Sequence, residues 1–312
     1  MSILIDSNTR VLVQGIGNQG TFHARRNADY GTTIVAGVHP KRGGETWEEL
    51  DRPIYASAIE AVEHEDINTS MILVPAPFAK DAIIEAFEAG IELIVCLTEG
   101  IPVHDMAQIY NTFYPRYADG SFTREGRPVL IGPNCPGLIS PGKANVGFIP
   151  ESSTRAGPVG LVSRSGTLTY QLMHELDAAS VGISTCVGIG GDPIIGSDFM
   201  DIIPQLAEDP ETEAILFVGE IGGTEEQRVG RWIHEHIPDM PVAAYVAGFT
   251  APPGKQMGHA GAIIKEGGDG GETAADKKTA LTELGIDVGM NPSETAQLMI
   301  ERLGQGARGL MT

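Results

Sequence analysis

Short runs of apolar residues alternate along this chain with longer stretches of mixed apolar and polar residues. The apolar runs are strand-length and nearly continuous: Arg10 to Gln14, Thr33 to Val38, Ser70 to Val74, Glu92 to Leu97 and Val129 to Gly132. Between them, Thr21 to Ala28, Ala56 to Glu63, Lys80 to Ala89 and Asp105 to Tyr114 have the periodicity of amphipathic helices. Strands buried on both faces lack the polar–apolar alternation of half-exposed ones, so the pattern predicts a parallel sheet with right-handed helical crossovers. Pro115 to Arg127 is polar and reads as an exposed excursion.

From Ser140 to Ala156 the pattern lapses into Pro141, Gly142, Pro150 and a Ser152-Ser153 pair, which reads as a linker. A second alternation follows. Its predicted strands are Val159 to Val162, Ser184 to Ile189, Ala214 to Val218 and Val242 to Val246. Its predicted helices are Leu168 to Leu176, Phe199 to Ala207, Glu225 to His236, Lys277 to Leu284 and Glu294 to Leu303, and Glu266 to Thr273 reads as a glycine-rich loop. The expectation is an α/β protein with domains at residues 1–139 and 158–312, joined by a linker at 140–157.

Composition narrows the class. The 312 residues suffice for two domains with proper cores, and 40 glycines suit many tight loops. No apolar run approaches the ~18 to 20 residues of a membrane span. The start, Met1 to Asp6, does not read as a signal peptide. Cys96, Cys135 and Cys186 are few and scattered, which suggests neither a disulfide framework nor a zinc knuckle, so a reducing cytoplasm is the default. A net charge of −20 argues against a nucleic-acid partner. It also means that a site for an anion must collect positive potential locally, from backbone N–H groups, helix ends or a few basic side chains.

Candidate chemistry lies in the loops after the strands, where parallel sheets bind ligands. Gly15-Ile16-Gly17-Asn18-Gln19-Gly20 joins a strand to a helix, the context a dinucleotide fingerprint requires. The next strand ends not on an acid but in His39-Pro40-Lys41-Arg42, which suits a phosphate such as that of NADP or the 3′-phosphate of coenzyme A. Ser163-Arg164-Ser165-Gly166-Thr167 opens a helix with more hydroxyl and glycine residues than a cap needs, and could cradle a phosphate. Glu220, flanked by glycines at a strand end, could hold one nitrogen of a histidine and direct the other at a substrate; a helix-capping acid is the alternative. His259 lies in Gly258-His259-Ala260-Gly261-Ala262, a loop of small residues that admits close approach. That pentapeptide alone is also what a tight turn with an exposed histidine looks like. His234 and His236, two apart on a helix, face different sides and do not suggest a metal site.

Taken together, these segments have the order found in one family. Val74-Pro75-Ala76-Pro77-Phe78, Thr98-Glu99-Gly100-Ile101-Pro102 and Gly132-Pro133-Asn134-Cys135-Pro136-Gly137 are followed by Val162 to Tyr170, Gly188 to Pro193, Gly219 to Gly223 and Gly258 to Ala262. Along nearly its full length the chain resembles the α subunit of succinyl-CoA synthetase (succinate–CoA ligase), with the sister malate–CoA ligases sharing most of the motifs. The resemblance implies an N-terminal Rossmann-like CoA-binding domain and a C-terminal flavodoxin-like ligase domain. It implies a partner β subunit with an ATP-grasp domain carrying Mg-ATP or Mg-GTP, in an αβ or α2β2 assembly, acting on succinate or a related small carboxylate. By resemblance, His259 is phosphorylated during turnover and Glu220 orients it. Ser163, Ser165, Gly166 and Thr167 would hold the phosphoryl group, and Tyr170 would lie at the carboxylate substrate. Gly17, Asn18, Gln19, Arg42, Leu97, Thr98 and Glu99 would contact CoA, with Asn134 and Cys135 near its thiol end. The chain departs from the family in a glycine turn one residue short, lacking the usual threonine between Ile16 and Gly17. Arg42 also stands where lysine is usual, and the connection from Asn111 to Arg127 is longer. An NADP-dependent oxidoreductase would use the glycine turn and Arg42 but leave the Ser163-to-Tyr170 and His259 segments without a role.

Overall fold

The computed structural model of the chain describes residues 2–114, 126–252, 254–264 and 271–309. Two compact units separate, one comprising Leu4–Ile149 with Asp192–Ser197, the other Met1–Ile3, Pro150–Gly191 and Asp198–Thr312. The longer connection expected from Asn111 to Arg127 and the glycine-rich stretch from Glu266 to Thr273 lie largely outside the described residues.

The first unit runs β1 (Arg10–Gln14), α1 (Asn18–Asp29), β2 (Thr33–Val38), β3 (Thr46–Trp47), β4 (Arg52–Tyr55), α2 (Ala58–His64) and β5 (Thr69–Ile72). It continues through α3 (Ala76–Glu88), β6 (Leu93–Cys96), α4 (Val103–Phe113), β7 (Val129–Ile131), β8 (Gly137–Ser140) and β9 (Ala144–Gly147). The strand order β3-β4-β2-β1-β5-β6-β7 is that of a doubly wound dinucleotide-binding sheet, with the short antiparallel β3 added at one edge. Val11, Leu12, Val13, Ile94 and Val95 are buried within the sheet, and Ala79, Ile83 and Ala86 of α3 pack onto it. Burial of a large aliphatic side chain of this kind contributes roughly 1.5–3 kcal/mol. Because helices cover both faces, nothing along these strands needs to be polar, which is why their apolar runs are unbroken.

The second unit runs β10 (Ala156–Ser163), α5 (Gly166–Ala178), β11 (Ile183–Gly188), α6 (Phe199–Glu208), β12 (Ala214–Glu220), α7 (Glu225–His236), β13 (Val242–Ala247), α8 (Ala274–Glu283), β14 (Asp287–Gly289) and α9 (Pro292–Gly309). Its strands lie in the order β11-β10-β12-β13-β14, all paired in parallel. That is the flavodoxin-like order. Every strand of this sheet is predominantly buried.

The elements differ from the sequence expectation where local signals point two ways. The helix expected over Lys80 to Ala89 begins earlier, as α3, with Pro75 as N-cap and Pro77 in the first turn. Proline is accommodated there because its missing N–H would have no helical partner and its φ is already set. The expected linker at 140–157 contains β9 and the start of β10. Pro141 and Gly142 turn one strand back on another: β8 and β9 pair antiparallel from Gly137↔Gly147 to Ser140↔Ala144, and Lys143 N donates to Ser140 O at 3.0 Å. A Pro-Gly pair marks a hairpin as readily as a linker, and only the pairing decides.

Candidate functional site

Both sheets change winding direction at their first strand. In the first unit β1 lies between β2 and β5, and in the second β10 lies between β11 and β12. At such a point the following loops diverge and leave a crevice beyond the carboxyl ends of the strands. The candidate residues collect at these two places.

In the first unit the glycine turn after β1 is dictated by close backbone approach. Gly15 has φ +105°, and a Cβ on it would stand 2.8 Å from backbone atoms of Leu73 and Val74. A Cβ on Gly20 would stand 1.8 Å from Gly15 O. Gly17 is different: its φ is −69°, it is the N-cap of α1 with no side-chain cap bond, and a Cβ there would meet nothing within 4 Å. The N–H groups that open α1 therefore face a cleft of ≈1740 Å³ without a side-chain acceptor. Asn18 and Gln19 are exposed at its floor. Arg25, Arg26, Lys41 and Arg42 bring positive charge to its lining, which also carries the carboxylates of Asp29, Glu49, Asp81 and Glu85. Arg42 Nε is held by Glu45 Oε2 at 2.8 Å, an exposed pair that contributes at most about 1 kcal/mol.

Leu97, Thr98, Glu99, Asn134 and Cys135 do not line the cleft; they adjoin it along the carboxyl ends of β5, β6 and β7. Thr98 Oγ1 donates to the carbonyl of Val74, a cleft residue, at 2.7 Å, and Asn134 N donates to Thr98 O at 2.9 Å. Asn134 Nδ2 donates to Asp192 Oδ1 at 2.9 Å. Leu97 is buried and Glu99 exposed. Burial pushes the Cys96 thiol up to about 12 and the Cys135 thiol higher still, so neither is a thiolate near neutral pH. Cys135 Sγ donates to Cys96 O at 3.3 Å and works as a packing residue.

In the second unit the turn from β10 into α5 is built by its serines. Ser163 Oγ donates to Ser165 O at 2.9 Å and accepts from Ser165 N at 3.1 Å, and Ser165 Oγ accepts from Leu168 N at 3.4 Å as the helix N-cap. Ser163 is fully buried, so its hydroxyl shapes the loop from within. Gly166 and Thr167 form the first turn of α5, with Thr167 exposed, and Tyr170 follows one turn on, half-buried.

Glu220 ends β12 at 4% exposure. Its Oε2 lies 2.9 Å from Nδ1 of His259, and its Oε1 lies 3.3 Å from Nε of Arg164. Nη1 of Arg164 also reaches Glu225 Oε2 at 3.6 Å. A carboxylate so deeply buried requires compensation of this kind. A carboxylate only accepts, so the bond to His259 fixes the tautomer with the proton on Nδ1 and places the ring's lone pair on Nε2. The loop around His259 is pinched by a bond from Met257 N to Ala262 O at 2.8 Å. Gly191 lies directly beneath the imidazole: a Cβ there would stand 2.3 Å from its Cγ and Nδ1. The sequence motifs point to Glu220 and His259 but to no role for Arg164 or Gly191, although both lie inside them.

His234 and His236 are exposed on α7, with His236 stacked on Trp232. Among the described residues no helix is long and apolar enough to cross a membrane.

Residues 6–100 match the family model described as a CoA binding domain, and residues 162–286 that described as CoA-ligase. The chain is 52% identical over 304 residues to succinate–CoA ligase (ADP-forming) subunit alpha 2 of Archaeoglobus fulgidus, covering 97% of this chain and 100% of that one. It is 49% identical over 304 residues to the corresponding alpha subunit of Aquifex aeolicus, covering 97% and 95%. Among solved structures, ATP citrate lyase from Methanothrix soehngenii in complex with citrate and coenzyme A superposes with a TM-score of 0.84 at 24% identity. That likeness concerns the fold, and it covers 99% of this chain but 52% of the lyase chain.

Proposed function

Because this chain belongs to the succinate–CoA ligase α-subunit family, we propose that it joins succinate to CoA by passing a phosphoryl group through His259. As an α subunit it works with a β subunit. The ATP-grasp character of that partner, its Mg-bound nucleotide, the αβ or α2β2 assembly and a cytoplasmic setting are part of the proposal. An adenine nucleotide is favoured over GTP by the ADP-forming relatives. In this reading residues 1–139 hold CoA and residues 158–312 carry the ligase chemistry.

The observation that carries the reading is the 2.9 Å bond from His259 Nδ1 to a buried, arginine-backed carboxylate. It leaves Nε2 as the nucleophile. Nε2 bonds to the γ-phosphorus as the bond to the nucleoside diphosphate breaks. The succinate carboxylate then takes the phosphoryl group and becomes succinyl phosphate. The CoA sulfur attacks its carbonyl carbon and inorganic phosphate leaves. The covalent stage splits one difficult transfer into easier ones. The first turn of α5 offers fixed N–H dipoles to the phosphoryl oxygens, which need not reorganise as charge moves. The α1 turn and the basic side chains Arg25, Arg26, Lys41 and Arg42 of the first cleft would meet the phosphates of CoA, and Phe78 and Val38 give that cleft apolar lining.

The test is intact-mass and acid-lability analysis of the α chain co-expressed with its β-type partner and incubated with Mg-ATP or Mg-GTP. The expected product is one acid-labile, base-stable phosphate on His259, discharged by succinate plus CoA. Discharge by malate but not succinate would assign the chain to the sister ligases. An unphosphorylated α chain beside an active, assembled partner would overturn the reading.

Two glycine substitutions separate folding from ligand approach. Gly17→Ala meets no protein atom, so its melting temperature is expected to stay at the parent value while CoA affinity, measured by calorimetry, falls about 10-fold, roughly 1.4 kcal/mol. Gly20→Ala collides with Gly15 O and is expected to lower the melting temperature itself. Beneath the histidine, Gly191→Ala is expected to displace the ring. Phosphorylation of His259 should slow about 100-fold, as small misplacements at a reacting centre do, with CoA affinity unchanged.

A further inference from the structure

The floor of the histidine site contains a buried ion pair that the proposed chemistry does not use. Lys277 of α8 and Glu226 of α7 are both fully buried and paired with each other. Such a pair adds little stability, because desolvation cancels most of its attraction. Its hydrogen bonds point to another role. Nζ of Lys277 has three protons and three acceptors: Glu226 Oε2, Glu220 O at 2.7 Å and Gly222 O at 2.7 Å. The other oxygen of Glu226, Oε1, accepts from Glu220 N at 3.1 Å. Both backbone polar groups of Glu220 are therefore held by the pair. Gly219 is a glycine at the place where any Cβ would stand 2.3 Å from Glu226 Oε1. Gly222 in turn packs against the return of the histidine loop: a Cβ on it would stand 2.6 Å from Ile263 O and 2.8 Å from Gly261 O.

We propose that Lys277 and Glu226 are positioning residues for the phosphohistidine step, fixing the end of β12 so that the Glu220 carboxylate meets His259 Nδ1. The pair never touches substrate. It sets the aim of Glu220 and the seat of the histidine loop together, through carbonyls two residues apart. This rests on the phosphohistidine reading above and adds the means by which the fold holds that geometry.

The test uses the assembled enzyme carrying Lys277→Met together with Glu226→Gln. The double change leaves no buried charge of the pair unpaired, and the amide that replaces the Glu226 carboxylate still offers an oxygen to Glu220 N. Turnover is expected to fall about 100-fold, with the KM for CoA unchanged because CoA is held in the other unit. The decisive readout is 15N NMR of histidine-labelled protein, with the His259 signals assigned by their loss in His259→Asn. The parent should show the Nδ1–H tautomer, and the double variant a mixture with Nε2–H. Parent turnover and an unchanged tautomer in the variant would overturn the proposal, as would a turnover loss that only matches the unfolded fraction seen by calorimetry. Should the double variant fail to fold, Lys277→Gln alone decides, since its side chain is one atom shorter and brings two N–H protons to the three acceptors of Nζ, which loosens the carbonyls of Glu220 and Gly222. It should show the same tautomer mixing and a loss of about 10-fold, and parent behaviour in it would overturn the proposal. A parent enzyme that never acquires phosphate would instead remove the functional reading itself.

Discussion

His259→Asn is expected to abolish turnover while sparing the CoA site. Asparagine keeps a polar side chain of similar reach but has no lone pair on nitrogen able to accept a phosphoryl group. Removing a nucleophile that acts as one member of a unit typically costs 10⁴-fold or more, roughly, in kcat. Intact mass after incubation with Mg-nucleotide should show no added phosphate. CoA affinity by calorimetry should equal that of the parent, because His259 and the glycine turn at Gly17 belong to different units. Thermal stability should change little, because the His259 side chain is 27% exposed. Residual phosphoryl transfer above a few per cent would mean that another group carries the phosphate.

Glu220→Gln has the second-largest expected effect, and it acts through the tautomer. The carboxylate accepts from Nδ1–H, which keeps the lone pair on Nε2. An amide in its place can donate to Nδ1 instead and favour the proton on Nε2, where it blocks attack. The equivalent change beneath a catalytic histidine in a serine protease lowers kcat by about 10⁴-fold, and a loss approaching that size is expected here. Stability should fall as well, because Arg164 is 7% exposed and loses the carboxylate 3.3 Å from its Nε. The loss should stay below the roughly 3–5 kcal/mol of a fully orphaned buried charge, since Glu225 remains 3.6 Å away. Calorimetry gives the stability change and single-turnover phosphorylation the chemical one. A variant that lost stability but phosphorylated at the parent rate would show that Glu220 only compensates Arg164.

The period of the apolar residues was enough to place the parallel sheets. β1, β2 and α7 fall where the pattern predicts them, because a strand covered by helices on both faces is an uninterrupted apolar run and its crossover helix repeats near 3.6. His259 and Glu220 stand out as candidates because each sits among small residues at or beyond the end of a strand, but the residues alone equally suit a turn and a helix cap, and only the order of the motifs gives them roles. Elements whose signal is shared with another structure were not legible. Pro141-Gly142 serves a hairpin or a linker, and Pro75 to Phe78 a loop or a helix start, and the choice depends on what pairs or packs nearby. β3 and β14, of two and three residues, are too short to show a period at all.

By itself, then, the sequence determined the doubly wound class and the loops in which the candidate residues lie, because these follow from local periodicity and from residue type. The tertiary structure alone decided which nitrogen of His259 carries the lone pair, that Arg164 backs Glu220, that Gly191 makes room for the imidazole and that Lys277 reaches the end of β12 across 57 residues of sequence. Those are relations between atoms that separate crossovers bring together, and no periodicity within one segment encodes them.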